Sequence, residues 1–218
     1  MNNNIIRIYD YKWREKCMEE QLEKLISELE NKKQQSYVFS MSEIDEIALK
    51  ILSILGYRSG NTATPIVKIV KQFGFMAYKE QLDDPNLSGD ISINGDTLEI
   101  YGHDKVIIVN DMDEKNHQRF VTAHELAHYL FDFLGNSEYL DKSVKFNAAY
   151  YKDKHDTADE KRANRFAASI LMPKDLFVKQ YNIARAVDSN SLFITMYLSR
   201  FFETSISSIE RRILEVIV

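Results

Sequence analysis

The chain has 218 residues, 44% of them hydrophobic, enough for one good core and a small appendage. Its 28 Lys and Arg against 33 Asp and Glu leave a net charge of −5 with the signs well mixed, so no basic stripe favours direct nucleic-acid binding. Cys17 is the single cysteine, which excludes an internal disulfide framework and any cysteine-rich zinc site.

No segment approaches the roughly 18 consecutive apolar residues of a membrane span. The opening "MNNNIIRIYDYKWREK" lacks a signal-peptide core, so the expectation is a cytoplasmic protein without membrane association. Residues 12–35 predict a charged helix whose apolar seam is Met18, Leu22, Leu25 and Leu29. Such a seam docks the helix on its own domain, or serves to bind a partner or form a dimer. Residues 1–36 are accordingly read as an N-terminal extension. A second helix runs from Met41 to Gly56, with Ser42 as its expected N-cap and Ile44, Ile47, Ile51, Ile54 and Leu55 as its apolar stripe. A third opens at Thr64-Pro65 and ends at Phe73-Gly74.

Between residues 75 and 110 the period changes to that of strands. "GDISINGDTLEIYG" alternates around Asn94-Gly95 and predicts a hairpin over 90–101, and "KVIIVN" (105–110) reads as a more buried strand. A small, mostly antiparallel sheet between helical segments makes the fold class α+β. A long helix follows from about Glu114 to Leu134, stopped by Gly135-Asn136. Residues 136–156 show no clear period. Helix returns over 157–171, ended by Met172-Pro173, and the tail from Lys174 is helical with a turn near 203–205.

The chemistry concentrates in "RFVTAHELAHYLF" (119–131). Positions i and i+4 of a helix share a face, so His124 and His128 can converge on one metal ion. Glu125, about 100° around the helix, is placed to contact a water on that metal as general base. The flanking Val121, Thr122, Ala123, Leu126, Ala127, Tyr129 and Leu130 are uncharged, as a helix buried beneath a cleft requires. A third ligand is needed downstream. "DEKRANRFAASILMP" (159–173) offers Glu160, with Asn164 one turn later to orient a ligand histidine. Thr157 to Glu160 also spells a capping box, in which Glu160 bonds back to the threonine backbone instead. His155 and Asp156 are alternative ligands by loop geometry.

Together "RFVTAHELAHYLF" and "EKRANRFAASILMP" resemble the ImmA/IrrE family of metallo-endopeptidases of bacteria, mobile elements and phages. The resemblance spans roughly residues 40–210, with "IIVN", "LMP" and "TPIVKIVKQFGFMAY" as looser matches. It implies a thermolysin-like, gluzincin-type minimal protease core over 37–180 and a helical, helix-turn-helix-like segment over 181–218 packed on it. It assigns His124, His128 and Glu160 to zinc, with manganese as an alternative ion, and Glu125 to catalysis. It further implies a protein substrate, a helix-turn-helix transcriptional repressor of a stress-response or mobile-element system. Tyr150, Tyr151 and His155 are candidates for an oxyanion donor by position in the chain. Ile91, Ser92 and Ile93 are a candidate sheet edge for an extended substrate. The rival reading is a catalytically silent protease-fold protein that acts by docking.

Overall fold

The computed structural model describes residues 3–58, 62–84, 86–93, 96–135, 146–151 and 157–218. Helix α1 (Asn3–Gln34) lays Leu22, Leu25 and Leu29 into the core, so its seam is used on the body of the chain itself. Helix α2 (Met41–Ile54) starts at Ser40, not at the expected Ser42. Ser40 accepts from the Glu43 backbone while Glu43 accepts from the Ser40 backbone at 2.9 Å, a reciprocal box that Ser42 cannot form. The α2 stripe Ile44, Ile47, Ala48, Ile51 and Leu52 is buried. Helix α3 (Ile66–Gln72) follows Thr64-Pro65, and Gly74 stops it at φ +85.

Four strands form one sheet in the order β1-β3-β2-β4: β1 (Met76–Glu80), β2 (Leu87–Ile93), β3 (Lys105–Asn110) and β4 (Phe146–Tyr151). β1 runs parallel to β3, and β2 is antiparallel to both β3 and β4. The expected hairpin over 90–101 is corrected in its second arm. Asp96–Tyr101 is a short helix, α4, with Tyr101 stacked on Tyr78 at 4.8 Å between ring centres. Asn94 and Gly95 lie outside the described residues. The strand that pairs with β2 across this connection is therefore β3, while its other side takes β4, from a segment with no readable period.

Helix α5 (Lys115–His128) lies across one face of the sheet and continues as a π-helical turn, Tyr129–Phe133. Gly135 ends this turn at φ +73, where a Cβ would stand 2.6 Å from the Glu30 carbonyl of α1; only glycine fits both demands. Helix α6 (Ala158–Leu171) packs along α5 and α2. Its inner side buries Ala163, Phe166, Ala167 and Ile170, small residues alternating with large so that the backbones approach closely.

Three more helices close the fold: α7 (Lys174–Val187), α8 (Ser191–Phe202) and α9 (Ile206–Val216). The tail is tied to α5 by Arg119, which donates to the carbonyls of Thr64 at 2.7 Å and Glu203 at 3.2 Å. Arg212 is only 1% exposed and donates to the Met172 carbonyl and Glu215. The helix-turn-helix cadence of 192–216 thus serves packing at this arginine. No described helix is long and apolar enough to cross a membrane.

Candidate metal centre

Residues 121–128 of α5 are all buried, sandwiched between sheet and α6. Burial without charge on the flanks is what lets this helix hold His124 and Glu125 at 0% exposure. The two imidazoles face each other with their Nε2 atoms 3.0 Å apart. Glu160 reaches across from α6, one oxygen 3.3 Å from His124 Nε2 and the other 3.4 Å from His128 Nε2. His124, His128 and Glu160 together could hold a metal ion.

Orientation of each ring is set from behind. His124 Nδ1 lies 3.1 Å from Asn164 Oδ1, and His128 Nδ1 lies 2.7 Å from Asp132 Oδ2. Both partners are acceptors, so each Nδ1 carries the hydrogen and donates. Each Nε2 is then left with a lone pair, and the two lone pairs point at each other. Such an arrangement needs a positive charge between them. Without a metal, a proton on His128 supplies that charge. Burial opposes the charged form of His128, yet Asp132 and Glu160 outweigh it and hold the imidazolium up to about 10. Burial likewise opposes ionisation of Glu160, but the two histidines hold it down to about 2. Burial alone dominates at His124, which is shifted downward.

The donor set fits a divalent ion. Tetrahedral coordination at about 2.0–2.1 Å from nitrogen or oxygen separates ligand atoms by roughly 3.3 Å, close to the observed 3.0, 3.3 and 3.4 Å. Glu160 Oε2 is buried without a hydrogen bond, a further sign of a missing cationic partner.

The competition over Glu160 resolves because its two ends serve separately. Thr157 caps α6 by accepting from the Glu160 backbone N–H at 3.2 Å, while the Glu160 carboxylate turns to the histidines. Glu125 lies beside the group, buried, with both carboxylate oxygens lacking any hydrogen bond. Burial pushes its carboxyl up to about 8.

Several residues of the site escaped the sequence. Asp132 is anchored in turn by Arg162, 2.8 Å away, so a His–Asp–Arg chain runs from the site to α6. The spacing of four from His128 was the available signal. Gly89 on β2 lies close against α5. A Cβ there would stand 2.3 Å from Val121 Cγ1 and 3.6 Å from Glu125 Oε1, which no neighbour pattern in one sequence reveals.

The remaining expectations fare differently. Ile91, Ser92 and Ile93 are not a sheet edge, because their strand is paired on both sides, with β3 and β4. Tyr150 sits in β4 opposite Gly89, and Tyr151 opposite Leu87. His155 and Asp156 lie outside the described residues.

A family model, the Peptidase_M78 IrrE N-terminal-like domain, matches residues 70–214. The chain belongs to this family. Its matched span contains α5, α6 and every residue of the metal group. Among solved structures, the chain is similar to a Mycobacterium tuberculosis transcriptional regulator, at 17% identity and a TM-score of 0.53. That similarity covers 87% of this chain and 51% of the other, so the chain spans about half the length of that regulator. At this identity the likeness is one of fold. A search of curated proteins finds no match.

Proposed function

We propose that this protease-fold protein is a zinc-dependent endopeptidase that hydrolyses one peptide bond of a protein substrate. The observation that carries the reading is the pair of Nδ1-tethered imidazoles converging on Glu160, with an unpartnered buried Glu125 alongside. A zinc ion, or manganese in its place, supplies Lewis acidity toward a scissile carbonyl and lowers the pKa of water toward about 7.

The chain's own residues do the rest. Glu125 accepts a proton from the attacking water and delivers it to the leaving amine nitrogen. Its raised proton affinity suits a group that must take and return a proton near neutral pH. Asn164 and Asp132 keep the two rings turned, and Gly89 lets the sheet close over Glu125. The substrate pairs as an extended strand with β4, whose pairing among the described residues uses one side only. Tyr150, in register with Gly89, is the position proposed to stabilise the oxyanion.

The substrate class is a DNA-binding repressor. Membership of an IrrE-like family and the fold shared with a transcriptional regulator support this regulatory setting.

The test incubates the zinc-loaded protein with the repressor encoded beside it. The expected outcome is one discrete cut, lowered at least about a thousandfold in Glu125→Gln, with zinc retained. Equal cleavage by both proteins, or no zinc uptake by the parent, overturns the reading. A protein that binds the repressor tightly, takes up zinc and never cuts it is a docking protein instead.

A further inference from the structure

Each helix of the metal group carries a second side chain one turn along the ligand face. On α5 it is Phe120, four residues before His124, and on α6 it is Asn164, four after Glu160. Phe120 and Asn164 both line a recess of about 140 Å³, which lies one turn, roughly 5.4 Å, along the helices from the ligands. Its other walls include His117 of α5 and Ser207, Ser208 and Arg211 of α9.

The volume is well below the roughly 300–1,000 Å³ of small-molecule sites, and suits a single amino-acid side chain. Charge narrows the choice. Arg211 is exposed and makes no hydrogen bond or ion pair among the described residues. No described carboxylate lines the recess. Asn164 accepts from His124 through Oδ1, so the polar group it has left is the amide N–H₂, a donor. A cation and a donor thus meet whatever enters, with the Phe120 ring as an apolar flank for a methylene stem.

We infer that this recess is the specificity pocket of the metal site: it receives an aspartate or glutamate side chain of the substrate, with Arg211 as the ion-pair partner. The inference rests on the proteolytic reading for its substrate. An extended chain advances about 3.3 Å per residue, so a side chain one or two residues from the scissile bond spans the one-turn offset. Arg211 stands at an exposed position, and an exposed arginine–carboxylate pair contributes modestly. Selectivity is therefore expected to be severalfold, enough to choose among the bonds of an extended segment.

Calorimetric titration of the zinc-loaded full chain with peptide hydroxamates tests it. The probes are alanine dipeptides with a hydroxamate at one end or the other, in which aspartate, asparagine or leucine replaces either alanine. Acetohydroxamate reports the metal alone. At one position aspartate is expected to bind about fivefold tighter than asparagine. Arg211→Gln should abolish that ratio while its acetohydroxamate affinity and unfolding midpoint stay those of the parent. Cleavage is no part of this readout, so a zinc-loaded protein that never cuts the repressor fails the proteolytic reading and can still show the preference. No aspartate preference at any position, or a preference that survives in Arg211→Gln, overturns the inference.

Discussion

On one face of α6, Arg165 donates to both oxygens of Asp45, Ser169 adds a third bond to that carboxylate, and Glu215 bridges Arg165 and Arg212. On the neighbouring face Glu160 meets two imidazoles that already face each other, and Glu125 beyond them meets no hydrogen-bond donor. Both clusters are polar, the first half-buried and the second nearly fully buried, and they share a helix. The first has a partner for each charge it carries, as a structural ion network does. The second leaves acceptors aimed at one point, which a fold tolerates only where something else supplies the charge. Burying charge is thus not the signature of the site; leaving it unanswered is.

Acidic groups separate the two cases most sharply. Asp90, on β2, is mostly buried with desolvation as the sole influence, which pushes its carboxyl up to about 7. A folded-state value above the ordinary carboxylate range means the fold holds the proton more tightly than the unfolded chain does. Stability is therefore lost as pH rises from about 4 to about 7. Asp90→Asn removes that loss. The variant is expected to match the parent near pH 4 and exceed it by roughly 2–3 kcal/mol at pH 8 after allowance for partial exposure, read by denaturant unfolding of the metal-free protein. A constant difference across pH contradicts the assignment.

Asp45 should respond in the opposite sense. Burial opposes its ionisation, but Arg165 and Ser169 prevail and its carboxyl is shifted down. Asp45→Ala leaves Arg165 short of its main partner, at a cost of roughly 2 kcal/mol given its partial exposure. Zinc content is expected to stay unchanged, because no metal-facing atom moves. Loss of zinc together with stability would merge the two clusters into one.

The smallest effect is expected behind the metal. Asp132→Asn keeps the shape but weakens the bond from His128 Nδ1, and should lower zinc affinity about tenfold, measured by competition with a chelator. No change in zinc affinity would mean that packing alone turns the His128 ring.

Much of this was readable in one dimension. The i, i+4 spacing of His124 and His128 puts both rings on one face of any helix, and the uncharged flank of Val121, Ala123, Leu126 and Ala127 says that the helix is buried. The α2 cap was readable too, since Ser40 and Glu43 have the box spacing, although Ser42 stands closer to the apolar stripe. The hairpin failed for a physical reason. Leu98 and Ile100 alternate like a strand, but the pairing edge of β2 was better filled by the continuous apolar run of β3, and both residues remain exposed on α4. Strand β4 carried no period at all, and its place beside β2 comes from pairing with a partner more than fifty residues away in sequence.

Sequence by itself determined the residue types that could hold a metal, the helix that carries two of them, and the candidacy of Glu160, because those depend on local periodicity. Only the tertiary structure decided that Glu160 turns inward while Thr157 caps its helix, that β2 is an inner strand, and that Asp132, Arg162 and Gly89 complete the surroundings. These choices rest on which groups meet across elements, and the energy of an unpaired buried charge is settled by neighbours that lie nearby in space and far apart along the chain.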